Sequence, residues 1–272
     1  MKKSSPASAG EEARCSRYPG TRPFSDSPED QARFYGREAE GEELYLRVLS
    51  VPLLVQFAAS GLGKTSLLQA YLFPRLWLKP FLPIMVRLDA ATESLVDAVA
   101  RSLEQGCKTK GLKFPKVRKD GLWELLSTAL VWRDDLLLTP VLVFDQFEEV
   151  FTLRDRAFRD TFADELGALA TGIRPERMRV QPGDESAHFR ARPDVKIVIS
   201  LREEYLGNLE EFSPAIPNLF RERLRLEPFD ADAAGRAIVE PAKLEAKEGE
   251  EPFWAPKFDF DRAALDAVLA YL

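Results

Sequence analysis

The chain has 272 residues, 45% hydrophobic and 30% charged, which is enough for one large α/β core or for a core with a smaller second domain. Its 38 basic and 44 acidic residues give a net charge of -6, which excludes a general electrostatic attraction to nucleic acid or to anionic membranes. Two cysteines exclude a disulfide framework and a cysteine zinc site, and no apolar stretch has the length of a bilayer span or follows the pattern of a signal peptide, so we expect a cytoplasmic protein.

The predicted elements alternate along the chain after a flexible tail, residues 1–17. Apolar runs predict five strands, at residues 52–57, 83–88, 141–145, 196–202 and 224–226. Amphipathic patterns predict helices at residues 37–50, from a glycine-rich loop to near Pro74, and at residues 94–105, 122–131 and 156–170. This alternation predicts an α/β core, residues 18–228, in which a five-stranded, mainly parallel sheet lies between helices and gathers ligand groups at the carboxyl ends of its strands.

The composition changes after the core. We expect a helix over residues 230–239 that ends at Pro241, then a charged linker and a last helix over residues 262–272. The last helix reaches the end of the chain without a stop signal. Residues 229–272 are therefore expected to be the start of an incomplete C-terminal lid domain of the helical or winged-helix kind, and the chain to be a fragment.

Residues 58–65 have the composition of a phosphate-binding loop. They join the first strand to a helix, where glycines let backbone N–H groups face phosphates at the positive end of the helix dipole. Lys64 adds a mobile charge and Thr65 a hydroxyl for Mg²⁺, although Ala58 replaces the usual first glycine. The alternative is a helix start softened by glycines. The expected nucleotide contacts are Ser60, Gly61, Leu62, Gly63, Lys64, Thr65 and Ser66.

Carboxylates follow the third strand. Asp145 ends this strand, where P-loop enzymes anchor the metal, although an aspartate there can also cap a turn. Glu148 and Glu149 are candidates for the base that polarises a water for attack on the γ-phosphate. A continued strand would place Glu149 on the face of Asp145, whereas a turn after Gln146 would deliver Glu148, so both remain candidates.

Three other polar features are weighed against structural roles. Arg202 ends the fourth strand and could contact the γ-phosphate, or it could pair with Glu203 or Glu204. The arginines of residues 220–223 fit a solvated helix face better than a catalytic role. His188 is the single histidine and is expected to be an inert loop residue.

A basic segment, residues 108–119, could contact nucleic acid. It contains several lysines and arginines but only Phe114 as a stacking residue. Because nucleic-acid surfaces usually combine cations with several aromatic side chains, an exposed basic loop is the favoured interpretation.

Five ordered segments resemble motifs of the bacterial novel-STAND branch of STAND-class P-loop NTPases. The resemblance covers residues 18–242. Its motifs are Tyr-Pro-Gly-Thr-Arg-Pro-Phe (18–24) with Phe-Tyr-Gly-Arg-Glu (34–38), Ala-Ser-Gly-Leu-Gly-Lys-Thr-Ser (59–66), Val-Phe-Asp-Gln-Phe-Glu-Glu (143–149), Leu-Arg-Glu-Glu-Tyr-Leu (201–206) and Leu-Glu-Pro-Phe (226–229). Five motifs in order are much more specific than any one of them.

This resemblance implies an AAA-like ATPase core that binds ATP or dATP with Mg²⁺, with an added strand at residues 83–88 between the P-loop strand and the Asp145 strand. It implies that Arg202 is a sensor arginine and that Glu148 and Glu149 are similar to the acidic pair of NACHT relatives. The residues it implies near the adenine are Phe34, Tyr35, Gly36 and Arg37, of which Arg37 could also pair with an acid.

The resemblance also implies a regulated switch that forms a homo-oligomer on activation and acts through sensor or effector domains, with bacterial conflict or antiviral signalling as its setting. The departures at Ala58 and at residues 239–242, where the lid motif of the family is absent, put the rate of hydrolysis in doubt more than binding. Two alternatives remain: an AAA-like motor or loader on DNA, and a nucleotide-binding scaffold without turnover.

Overall fold

A computed structural model describes residues 16–88, 94–175, 192–245, 253 and 255–270. Its centre is a parallel sheet of five strands, in the order β2-β5-β6-β1-β7. These strands are β1 (Leu53–Ala58), β2 (Phe81–Val86), β5 (Thr139–Phe144), β6 (Lys196–Arg202) and β7 (Arg223–Arg225). His188 and residues 1–15 of the expected tail lie outside the described residues.

Helices cover both faces of this sheet. On one face, α2 (Glu38–Ser50) and the helical run after the glycine-rich loop pack against Leu54 and Val198. On the other face, the helices within residues 95–171 pack against Val55 and Ile199. The helices are α1 (Pro28–Arg33), α2, α3 (Lys64–Ser66), α4 (Phe73–Trp77), α5 (Leu95–Thr109), α6 (Leu122–Thr128), α7 (Glu148–Leu153), α8 (Arg156–Thr171), α9 (Ala231–Lys243) and α10 (Arg262–Leu269).

Burial on both faces explains why the strands are continuous apolar runs. Neighbouring residues of β1 alternate between the two cores: Leu54 and Ala58 belong to one, and Leu53 and Val55 to the other. Parallel strands covered on both faces have this composition because neither side meets water. The predicted five-stranded α/β core is confirmed.

The sheet order corrects one expectation. Residues 81–86 form the added strand between β1 and β5 along the chain, but in the sheet β2 is the outer strand beside β5. The strand that lies between β1 and β5 is β6, which pairs with both. Asp145 directly follows β5 and Arg202 is the last residue of β6, so both lie at the carboxyl ends of neighbouring strands.

Two prolines do not end helices where the sequence predicts. The run after the loop continues past Pro74 to Trp77, because a π-helical section (Leu67–Leu72) intervenes and Pro74 falls in the first turn of α4, where an N–H is not required. Pro241 lies inside α9, which continues to Lys243. The predicted end of the helix at residue 131 is also wrong, since α6 ends at Thr128.

After α6 the chain forms a short antiparallel hairpin, β3 (Trp132–Arg133) with β4 (Leu136–Leu137). It precedes β5 and so lies at the amino end of that strand, opposite the edge that carries Asp145. In the part of the chain that the structure describes, no helix combines the length and apolarity needed to cross a membrane.

Candidate functional site

The glycine-rich loop leaves β1 and turns into α3. Gly61 and Gly63 have φ angles of 82° and 88°, in the left-handed region that glycine adopts without strain. A Cβ added to either glycine would meet nothing within 4 Å, so both face open space. Ala58 is the last residue of β1 and is fully buried, so its methyl group packs in the core and the position needs no glycine.

Lys64 extends back along this loop. Its Nζ donates to the carbonyl oxygens of Ala58 at 3.2 Å and Ala59 at 3.4 Å. Burial lowers the pKa of Lys64, while the nearby carboxylates of Glu148 and Asp145 act in the opposite direction. A half-buried cation at this position is suited to an anionic ligand that supplies further negative charge.

Asp145 lies across from the start of α3. Its side chain is 1% exposed. Its Oδ2 accepts a hydrogen bond from Thr65 Oγ1 at 2.9 Å, and its Oδ1 accepts one from Ser200 Oγ at 3.3 Å. A hydroxyl and a carboxylate are hard oxygen donors of the kind that Mg²⁺ takes in phosphate sites. The two residues predicted to bind the metal are therefore in contact, and their chemistry fits it.

Arg202 and Glu148 form an ion pair at the neighbouring strand ends. Arg202 Nε lies 3.0 Å from Glu148 Oε1, and the backbone N–H of Arg202 donates to Glu148 Oε2 at 3.2 Å. Glu203 and Glu204, the alternative partners expected from the sequence, do not form this ion pair. They begin a 3₁₀ helix (Glu203–Phe212) that directly follows the strand. Glu203 pairs with Arg225 instead.

Gln146 determines which acid faces the cavity. Its φ of 55° makes a left-handed turn directly after Asp145, and the N–H of Phe147 then donates to Ser200 O at 2.9 Å. This turn brings Glu148 to the lining of the cavity. Glu149 is half-buried and is not among the residues that line the cavity.

These groups surround a cavity of about 670 Å³. An apolar cavity of about 460 Å³ adjoins it and shares Phe24, Gly61, Gly63 and Ser66 with it. Together they form a polar cavity that continues into an apolar one. The residues that line only the apolar part are Arg33, Phe34, Tyr35, Arg37, Leu62, Pro228, Phe229 and Ala237.

Residues 34–37, which the family resemblance places near the adenine, have different surroundings. Phe34 and Tyr35 line the apolar cavity, whereas Gly36, with a φ of 86°, touches α9 so closely that a Cβ would lie 2.4 Å from Ala233 O. The guanidinium of Arg37 is committed to other protein groups. It contacts Glu40 at 2.6 Å, the carbonyls of Glu227 at 2.8 Å and Leu62 at 3.3 Å, and the ring of Phe229 at 3.9 Å.

Residues 16–24 are here called the arm, and residues 19–24 of it form a wall of the polar cavity that sequence reasoning did not assign to the site. The N–H of Phe24 donates to Ser66 Oγ at 3.2 Å. Arg22 holds buried Asp30 through two contacts, at 2.7 and 2.9 Å. Burial alone would raise the pKa of Asp30, but hydrogen bonds from Arg22 and Ser25 outweigh it and hold that pKa well below its usual range.

The start of the arm is fastened to α9. Arg17, placed in the tail by the sequence, is 5% exposed, and it donates to the carbonyls of Pro241 at 2.9 Å, Leu244 at 2.7 Å and Ala255 at 3.1 Å. Tyr18 donates its hydroxyl hydrogen to Ile238 O at 2.5 Å. The arm thus joins the glycine-rich loop to α9.

Arg87 is the other missed residue. It directly follows β2 and lines the polar cavity. The rule that parallel strands gather ligands at their carboxyl ends, which identified Asp145 and Arg202, applies to Arg87 as well.

Two predicted cationic segments lie elsewhere. Arg221 and Arg223 are exposed and belong to a turn and to β7, not to a helix face, and neither lines the two cavities. In the basic segment, several cations pair with acids of this chain: Lys110 with Asp26, Arg118 with Asp120 and Lys119 with Asp97.

Comparison with known families decides the identity of this fold. The sequence profile of Novel STAND NTPase 1 matches residues 18–255. The chain belongs to this family. As a novel STAND NTPase it is a nucleotide-binding P-loop NTPase module, and the resemblance stated from its motifs is confirmed. The comparison with curated proteins gives no match.

Two solved structures are similar to the novel STAND NTPase, and the first of them supports its fold. The Walker-type ATPase of Pyrococcus abyssi is 16% identical, with a TM-score of 0.51 over 79% of this chain and 59% of that one. The ORC2 protein of Aeropyrum pernix in its ADPNP–ADP complexes is 15% identical, with a TM-score of 0.47 over 75% and 50%. The chain spans about half to three fifths of the length of these two proteins.

Proposed function

We propose that this chain binds ATP, or dATP, together with Mg²⁺, hydrolyses it slowly, and so acts as the nucleotide-controlled switch of a cytoplasmic signalling protein. The observation that carries this proposal is the contact of Thr65 Oγ1 with Asp145 Oδ2, at 2.9 Å, within a polar cavity that opens into an apolar one. The polar part suits a triphosphate and its metal, and the apolar part a purine base.

The residues divide into roles within this proposal. Lys64 and the backbone of the glycine-rich loop bind the phosphates, and Thr65 and Asp145 hold Mg²⁺, which supplies charge neutralisation for phosphoryl transfer when bound. Glu148 orients and deprotonates the attacking water, since it lines the cavity and Glu149 does not. Arg202 neutralises the terminal phosphate once that phosphate draws it from Glu148.

A switch is proposed because the groups that bind the nucleotide also touch α9. Phe229 and Ala237 line the base pocket, and the arm bridges Ser66 and the end of α9. A bound nucleotide therefore favours one placement of the C-terminal helices. By family resemblance we propose that this controls homo-oligomerisation and the output of sensor or effector domains, with antiviral signalling as the setting.

The first test is loss of the phosphate-binding lysine. We expect Lys64→Ala to weaken ATP binding by about a hundredfold, because charge-assisted contacts to phosphate contribute about 1.5–3 kcal/mol each. Isothermal titration calorimetry with ATP and Mg²⁺ measures this. Lys79→Ala, which removes an exposed lysine outside both cavities, is the matched control. Equal ATP affinity of Lys64→Ala and wild type would refute the proposal.

A further inference from the structure

Arg87 shares an oxygen with the proposed metal site. Its Nη2 lies 3.4 Å from Asp145 Oδ2, and this oxygen also accepts the hydrogen bond from Thr65 Oγ1 at 2.9 Å. Among the described residues, Asp145 is the acid that Arg87 contacts. In the ligand-free chain, the guanidinium therefore stands at the same carboxylate oxygen that Mg²⁺ would take.

The contact between Arg87 and Asp145 can be broken by movement of Arg87 alone. The side chain of Arg87 is 47% exposed and lines the polar cavity, whereas that of Asp145 is 1% exposed and is held by Thr65 and Ser200. A single contact at 3.4 Å with a half-exposed arginine is weak, because solvent competes for the cation. The buried carboxylate stays in place while the arginine is free to leave.

Simultaneous contact of Mg²⁺ and Arg87 with this oxygen is unfavourable, because both are cations. A dication placed there would repel a guanidinium a few ångströms away, and the metal brings the larger charge. The anionic group that would then stand in the same cavity is the terminal phosphate of the nucleotide. Arginine is suited to that partner, since its planar fork can donate two hydrogen bonds to phosphate oxygens.

We propose that Arg87 exchanges Asp145 for the terminal phosphate when the metal and nucleotide bind. Arg87 then has two opposite effects: it competes with Mg²⁺ for Asp145 in the free chain, and it favours ATP over ADP in the bound chain. This inference rests on the proposed function of the cavity as a Mg²⁺–ATP site, and it adds a γ-phosphate contact and a source of selectivity to that site.

The experiment measures ATP and ADP affinity by calorimetry at a series of Mg²⁺ concentrations, for wild type and Arg87→Ala. The variant is expected to reach half of its maximal ATP affinity at a several-fold lower Mg²⁺ concentration. Its preference for ATP over ADP at saturating Mg²⁺ is expected to fall about tenfold, as for the loss of one charge-assisted hydrogen bond. Arg87→Gln, which keeps a polar side chain but is shorter and uncharged, should behave in the same way.

Arg156→Ala serves as the control, since Arg156 is an exposed arginine of α8 that pairs with Asp160 outside the cavities. It should leave both quantities unchanged. If wild type binds ATP but the Arg87 variants keep its Mg²⁺ dependence and its ATP preference, the role of Arg87 is overturned and the proposed function stands. Equal weakening of ATP and ADP at unchanged Mg²⁺ dependence would also overturn it. Failure of wild type to bind ATP would overturn the proposed function itself.

Discussion

Three cations of the polar cavity have partners at the strand ends or in the glycine-rich loop. Lys64 contacts two loop carbonyls, Arg87 contacts Asp145, and Arg202 contacts Glu148. A triphosphate with its metal would replace each of these contacts by a more strongly charged one. Within the proposed function, nucleotide binding is therefore an exchange of partners for these side chains.

The acidic pair offers a matched test at this scale. We expect Glu148→Gln to lower the rate of ATP hydrolysis by about a hundredfold or more, because a positioned general base contributes that much, while ATP binding persists. Glu149→Gln should keep most of the wild-type rate, since Glu149 does not line the cavity. Phosphate release in single-turnover experiments distinguishes the two. The reverse ranking would reassign the base to Glu149.

At the scale of elements, the close contact between Gly36 and α9 holds the segment that lines the apolar cavity against this helix. Gly36→Ala is expected to destabilise the fold by about 2–4 kcal/mol, from the left-handed backbone and from a Cβ placed against Ala233 O. Thermal denaturation measures the change. Gly235→Ala in α9 is the control: its Cβ would meet nothing within 4 Å, so it should stabilise by about 0.5–1 kcal/mol. Equal melting temperatures for the two variants would contradict the close packing.

The elements that the sequence predicted well are those that local pattern determines. The strands were found because runs buried on both faces are apolar throughout. The end of α9 could not be predicted in the same way, because Pro241 O is held by Arg17, 224 residues away in the sequence. The turn after Gln146 stayed one of two alternatives in the sequence, because no glycine marks its left-handed position. Arg87 was missed because the predicted strand, residues 83–88, included it, whereas β2 ends at Val86 and leaves Arg87 at its carboxyl end.

At the scale of the whole molecule, the two cavities lie between the carboxyl edge of the sheet, the arm and α9. The sequence predicted the edge through Asp145 and Arg202, but it gave no sign that residues 16–24 close one side. Within the proposed function, a cavity walled in this way makes nucleotide binding depend on the core and α9 together.

Hydrogen exchange tests this arrangement. ATP with Mg²⁺ is expected to slow amide exchange in the glycine-rich loop, in the arm and in α9, because Phe229 and Ala237 border the base pocket. The hairpin of β3 and β4 should exchange as before, since it lies at the opposite ends of the strands. Mass spectrometry with and without nucleotide gives the comparison. Protection confined to the loop would show that α9 takes no part in binding.

The burial of Arg17 has a practical consequence for producing this domain in isolation. The family match begins at residue 18, which suggests Tyr18 as a natural starting point for a shorter fragment. Such a fragment would lose the guanidinium that donates to the carbonyls of Pro241, Leu244 and Ala255. Hydrogen bonds from a charged donor contribute about 1.5–3 kcal/mol each, and less where they are partly exposed. A fragment that starts at Tyr18 would therefore purify with a loosened C-terminal part, although every recognised motif is present in it.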